Sequence, residues 1–535
     1  MHSTTSKMQT AKAAPRRTPL GRRAAVAAVL GGAVGGVAQP GLGQNIPWIG
    51  ATGNWNTAAN WQGGNIPDTA TEIAVLDGAS PFTVSHNVST TVGEVQLLPA
   101  FAALYINANT TLTLASGNLM NNGVILVNPT AWPFNSTTIE LAASGTISGT
   151  GTVVLNASTS WATAQLRHSS PSHVTTIAAS QTIRGTGQLV GGTIINDGAI
   201  RADVNGRSLN LLAVLSGQGQ FVAENGGILA LSGVRASGVT FAGLNAGRVQ
   251  FRTQCSTTST TLSGASELDA GTVLNVSDGT LTNNGTITVN PTAGGVNSTL
   301  WFSVDGSLVG TGAVTLNANP TWTSARLYHT GSHVTTIGEN QTIRGVGQLE
   351  NGTWVLDGTV SPGTTSDPTG VIRGQACTIR CNPTARLEVD IGGTAPAEYD
   401  AISGTGTLML GGTLTVSLIN GFSPACTCDE FTVLTGTSVI GAFDQVNFPP
   451  GSAGHVRYEP TRVAAFFGPT CDPIDFNGDG LFPDTADIDD FLSVFSGGPC
   501  STGTCGDIDF NNDGLFPDTS DIDSLLSVFS GGACV

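Results

Sequence analysis

Lysine is nearly missing from this chain, standing only at Lys7 and Lys12. Beyond Arg23 the sequence holds 14 arginines against 37 acids, a balance of −23. A nucleic-acid-binding protein needs a basic face to neutralise phosphates, so the composition argues against that class of partner. Charge of either sign is scarce, at 11 % of residues. Disorder calls for high charge and few β-branched residues, and long helices call for Ala, Glu, Lys and Leu; neither composition is present. After the N-terminal region no apolar run approaches the length needed to span a membrane.

What is present is glycine, 71 residues of it, among Thr, Ser, Asn, Val and Leu. Short alternating runs such as Thr286-Ile287-Thr288-Val289 and Leu414-Thr415-Val416-Ser417-Leu418 put one face inward, and Asn-Gly or Asp-Gly pairs precede many of them. That pattern predicts a mostly β chain with frequent tight turns. Six G-x-G units, at Gly149, Gly185, Gly217, Gly310, Gly345 and Gly404, lead into strand-like runs with no helical period after them. They are expected to be turns in which glycine supplies a positive φ, not a dinucleotide-binding loop.

The chain repeats itself. LMNNGVILVNPT from Leu119 returns as LTNNGTITVNPT from Leu281, and SHVTTIAASQTIRGTGQL from Ser172 returns as SHVTTIGENQTIRGVGQL from Ser332. This duplication of about 160 residues, with short similar units recurring throughout, favours a stacked solenoid of roughly 22 residues per coil.

Arg16, Arg17, Arg22 and Arg23 precede a short small-residue apolar run, Ala24 to Ala38. Residues 1–38 are expected to be an export signal, with paired arginines of the twin-arginine kind. The mature protein is then expected outside the cytoplasm, without a transmembrane segment, and its nine cysteines should mostly be paired. Cys471 and Cys500 stand 29 apart, as do Cys505 and Cys534, so each of these two pairs is expected to close on itself. Spacing does not decide how Cys377, Cys381, Cys426 and Cys428 pair, and Cys255 is left over.

Two segments carry a resemblance for the β region. WIGATGNWNTAANWQGGNIP, from Trp48 to Pro67, resembles the opening segment of passenger-type right-handed β-helices in autotransporter-like secreted bacterial proteins. Gly358 to Leu434, with LEVDIGGTAPAEYDAISGTGTLMLGGTLTVSLINGFSP, resembles the pattern that closes them. The resemblance implies a long right-handed parallel β-helix. Its duplicated part is placed at residues 39–365 and its closing segment at 366–469.

Residues 470–535 differ. DFNGDGLFPDTADID from Asp475 returns as DFNNDGLFPDTSDID from Asp509, each opening D-x-N-x-D-G, the first half of an EF-hand loop. Calcium takes hard oxygen ligands at alternate positions of a tight loop whose sixth residue is glycine. The expected ligands are Asp475, Asn477, Asp479, the Leu481 carbonyl and Asp487 for one ion. For a second they are Asp509, Asn511, Asp513, the Leu515 carbonyl and Asp521. The closing acid stands thirteenth rather than twelfth, which leaves Asp484 and Asp518 as alternatives. Apolar stripes follow each loop, Ile488, Phe491, Leu492, Phe495 and Ile522, Leu525, Leu526, Phe529, at helical spacing.

A duplicated loop-helix ending in Gly497-Gly498-Pro499-Cys500 and Gly531-Gly532-Ala533-Cys534 resembles a dockerin, in the variant bounded by Gly-Gly and Cys. That resemblance implies a small helical, EF-hand-like module that attaches its cargo to a cohesin-like domain or cell-envelope receptor. The expected whole is a secreted, surface-associated, structural or adhesive solenoid. The alternative is a polysaccharide hydrolase or lyase carried by the same anchor. No paired-acid motif recurs between Trp48 and Phe467, so no catalytic residue is nominated. The duplicated histidines His168/His173 and His329/His333 lack a nameable third ligand and are expected to be structural. Trp55, Trp61, Trp161 and Trp322 could stack on sugars or pack inside.

Overall fold

The computed structural model describes residues 43–134, 136–158, 163–319, 324–364, 367–424, 429–450, 452, 454–467, 471–481, 483–511 and 518–532. The chain is mostly β. Forty-six strands among the described residues join one hydrogen-bonded sheet system, nearly all of it parallel. Apolar residues at alternate positions explain the strands: in Thr111–Leu114, Leu112 and Leu114 are buried while Thr111 and Thr113 face outward.

Most strands pair with one further along the chain rather than with their immediate neighbour. Val124 lies opposite Thr152, Thr152 opposite Thr182, and Thr182 opposite Ala199, steps of 28, 30 and 17 residues. In the second copy Thr286, Ala313, Thr342 and Thr359 follow one another at steps of 27, 29 and 17. The duplication is therefore a duplication of pairing register. Between the copies the steps are near the expected value, 21 from Ala199 to Gln220 and 20 from Gln220 to Thr240. A uniform period of 22 does not describe the copies themselves, where steps of 27 to 30 residues are followed by one of 17.

The motifs that return between copies are those whose polar atoms are buried. Gln181 donates to the carbonyls of Asn121 and Ser148, and Gln341 to those of Asn283 (2.8 Å) and Val309 (3.1 Å). These four amide residues are at most 1 % exposed, so each must find its partners inside. Asn156 likewise donates to the carbonyls of Asn128 and Pro129, and Asn317 to those of Asn290 and Pro291. The first glycine of five G-x-G units has φ between 98° and 104°. At Gly149 a Cβ would also stand 2.3 Å from the Asn121 carbonyl, so no other residue fits.

Both ends of the sheet system are covered. At the start, Trp48, Trp55 and Trp61 are buried and meet edge-on, with Trp61 5.0 Å from Trp48 and 4.9 Å from Trp55. At the far end Arg462–Phe467 pairs antiparallel with both Glu430–Thr435 and Gly454–Glu459. One apolar cluster runs from Ile46 to Phe467. A second, separate one holds Ile474, Phe476, Phe491, Phe510 and Leu525.

Candidate metal centre

Two helices, α1 (Thr485–Phe495) and α2 (Thr519–Phe529), stand where the apolar stripes predict them. Each starts with the same capping box. Asp484 accepts from the Ala486 N–H at 2.8 Å while Asp487 accepts from the Asp484 N–H at 3.1 Å. In α2, Asp518 accepts from Ser520 at 2.7 Å and Asp521 from Asp518 at 3.0 Å. Acids here satisfy orphan N–H groups and favour the positive end of the helix. The stripes pack only in part. Phe491 and Leu525 are buried, but Leu492 and Leu526 are exposed at matching positions, because the small core lies to one side of each helix.

The first loop turns on Gly480, φ 78°, the sixth residue. Asp475 accepts from the N–H groups of Asp479 (3.1 Å) and Gly480 (3.0 Å), and Asn477 Oδ1 accepts from Asp479 (3.1 Å). Asp479 accepts from Leu481 at 2.8 Å, and Asp487 reaches back to the Asn477 N–H at 3.3 Å. In the second loop Asp521 makes the matching bond to the Asn511 N–H, also at 3.3 Å. Asp513 and Leu515 lie outside the described residues. Asp487 and Asp521 are fully buried, and Asn477 and Asn511 nearly so. The ligand oxygens of Asp475, Asp479 and Asp487 do not gather as a threesome within 4.8 Å of one another.

One residue of this centre has no counterpart among the nominated ligands. Asp490, on α1, is 6 % exposed and accepts from Asn477 Nδ2 at 3.1 Å and from the Ser501 N–H at 2.8 Å. The Ser501 hydroxyl, its N–H and Asn477 hold the carboxyl below the usual carboxylate range. Its sequence signal is a charged residue beside Phe491 on an amphipathic helix; the second repeat has buried Ser524 at the matching position.

The expected disulfides are corrected. Cys500 is bonded to Cys505, so neither Cys471–Cys500 nor Cys505–Cys534 exists. Cys471 is also disulfide-bonded, and Cys534 lies outside the described residues. The equal separations misled for a simple reason: tandem duplication repeats every internal spacing whatever the pairing. The end of one repeat meets the start of the next across Ser501–Thr504, which brings Cys500 and Cys505 together. Their sulfurs lie near Asp490, but as a disulfide they are not thiolate ligands. Cys255, Cys377 and Cys381 are free thiols, pushed up by burial to about 11, 12 and 12. Cys426 and Cys428 lie outside the described residues.

In the strand region the histidine pairs are structurally equivalent despite their unequal spacing, each with ring centroids 6.4 Å apart. His168 is held by the Gly191 carbonyl (2.9 Å) and the Thr175 hydroxyl (2.8 Å). His329 meets the Phe302 carbonyl at 3.2 Å, and His333 meets Asp305 at 3.1 Å. Trp55 and Trp61 are too buried to stack on a ligand, and Trp161 and Trp322 lie outside the described residues. No protein-family model matches the chain, and no curated protein matches it either.

Proposed function

We propose that this is an exported, calcium-binding protein in which residues 471–535 form a dockerin-type anchor. The strand region it carries is a right-handed parallel β-helix with a structural or adhesive role. The observation that carries the reading is the pair of fully buried carboxylates, Asp487 and Asp521. They belong to a module with thirteen Asp residues and no Lys, Arg or His. Burying a carboxylate that no cation compensates costs several kcal/mol, and no side chain of this module can supply the compensation.

Calcium fits that deficit. The donors are hard oxygens at alternate positions, and in the first loop the sixth residue, Gly480, has the positive φ that a calcium loop requires. Asp475, Asn477, Asp479, the Leu481 carbonyl and Asp487 would hold one ion; Asp509, Asn511, Asp513, the Leu515 carbonyl and Asp521 would hold the other. The bound ion supplies positive charge that ties each loop to the first turn of its helix. The β-helix reading rests on the parallel pairing and on its repeated register. No helix among the described residues is long and apolar enough to cross a membrane; the dockerin resemblance assigns attachment to a cohesin-like domain or envelope receptor.

Calorimetry on the metal-stripped full chain tests this. Two calcium ions are expected, falling to one in Asp479→Ala and in Asp513→Ala. Retention by the envelope fraction of the producing cell should require calcium. A chain that takes up no calcium would sink the reading, as would retention unaffected by a chelator.

A further inference from the structure

The two copies of the duplication keep their buried residues and turns but differ along one outward line. In the first copy Thr113, Glu140 and Arg167 stand side by side on neighbouring strands. Arg167 closes on Glu140 at 2.6 Å, so this line satisfies itself. In the second copy the matching positions are Asn275, Trp301 and Tyr328. The aromatic rings meet edge-on, 6.3 Å apart. Arg326, paired with Glu350 at 2.7 Å, lies 4.9 Å over the Tyr328 ring. Tyr328 is thereby occupied, and Trp301 is the ring left to receive a ligand.

An open groove lies beside each line, about 540 Å³ next to Thr113 and about 560 Å³ next to Asn275. The second is lined by Arg235, Gln254, Ser256, Asn275 and Ser277. Arg235, Ser256, Asn275, Trp301 and Tyr328 are in register on five successive paired strands. Arg235 is exposed and makes no ion pair among the described residues. Asn275 and Trp301 are half-buried, and Asn275 Oδ1 and Trp301 Nε1, which are turned inward, have no hydrogen-bond partner, so this line, unlike the Glu140–Arg167 line, is not satisfied from within.

We infer that this line is a binding site for a linear pyranose polymer, with Trp301 as its stacking platform and Asn275, Ser256 and Arg235 as its hydrogen-bonding rail. A pyranose offers an apolar C–H face to an aromatic ring and a rim of hydroxyls to polar side chains, which is the mixture found here. Strands spaced about 4.8 Å apart present side chains as a regular array, suited to a chain of repeating units. A protein partner would be anchored by a cluster of desolvated aromatic and aliphatic residues, whereas Trp301 stands among polar groups. Arg235 extends the site to uronic acids. The inference is independent of the calcium module.

The test is calorimetry on the full chain with cellohexaose as the neutral probe and hexagalacturonate as the acidic one. At least one should bind saturably, and Trp301→Ala should weaken it tenfold or more. Trp301→Phe, which keeps a ring, should retain affinity within threefold, separating loss of stacking from loss of fold. Arg235→Ala should weaken the acidic probe only. Arg167→Ala, on the matching line of the first copy, should change neither. Failure of both probes to bind overturns the proposal, and so does Trp301→Ala binding as wild type or Arg167→Ala losing as much as Trp301→Ala.

Discussion

The strand region and the C-terminal module handle negative charge in opposite ways. From Trp48 to Phe467 there are 24 acids and 14 arginines, and many pair across neighbouring strands: Arg184 with Asp203, Arg201 with Glu224, Arg248 with Glu267. From Cys471 onward there are 13 acids and no basic side chain at all. The apolar cores differ as much. The strand region buries a continuous cluster along its whole length, whereas five buried residues form the core of the module. A core that small seldom sustains a fold without crosslinks or metal. The strand region can be stable on its own side chains; the module adds disulfides to its small core, and on the proposed reading calcium as well.

Calcium removal should break the two regions apart most clearly. In the full chain, a chelator should abolish the helical circular dichroism of α1 and α2 and open residues 471–535 to protease, while the β signal stays. With free calcium a thousandfold above its dissociation constant, the linkage contribution is about 4 kcal/mol for each site. Equal loss of both signals would show that the regions are one cooperative unit, and the comparison would fail.

The next effect belongs to the strand region. Trp61 is 1 % exposed, lies edge-on to two other tryptophans, and donates its indole N–H to the Trp55 carbonyl at 2.6 Å. Trp61→Ala should cost about 3–5 kcal/mol, as for other buried aromatics, read from the urea midpoint of the β signal. The calcium affinity of the module should not move. A loss under about 1 kcal/mol would mean that the tryptophans do not cap the core.

How much of this was legible in the sequence follows from the range of the contacts. Alternation and turn residues are local, and they identified a mostly β chain; helical spacing placed α1 and α2. The repeated NNG, VNP and QTIRG motifs announced a duplication, but their reason was hidden. Gln341 meets Asn283, 58 residues away, and only the pairing register shows that. The disulfides failed because duplication makes several pairings look alike. Asp490 was passed over because its partner Ser501 lies beyond the helix, and the Trp301 line emerges only when strands are laid side by side.

Burial of a lone acid also separates the regions. Asp400, the strand region's counterpart to Asp487, is fully buried and accepts from the N–H groups of Gly370 (2.7 Å) and Asp390 (3.0 Å). Burial pushes its carboxyl up to about 8, above the usual range near 4. The folded state therefore holds this proton more tightly than the unfolded chain. Its contribution to stability is complete below about pH 4 and is lost as pH rises through about 8. The strand region should lose about 4 kcal/mol between pH 5 and 9 from this group, and Asp400→Asn should flatten that slope. An unchanged slope in the variant would assign the pH response elsewhere.

The smallest effect is the sharpest contrast with the module. Glu140 and Arg167 form a close ion pair, but their side chains are 20 % and 45 % exposed. Water and salt screen such a pair, and fixing two long side chains costs entropy, so its net worth is about 0.2–1 kcal/mol. Glu140→Gln should therefore lower the urea midpoint of the β signal only slightly, and less still in high salt. Asp487→Asn removes the same single charge from the module and should remove a calcium site with it. If Glu140→Gln cost more than about 2 kcal/mol, the strand region too would depend on its charges, and the division between a self-sufficient β structure and a cation-dependent module would have to be redrawn.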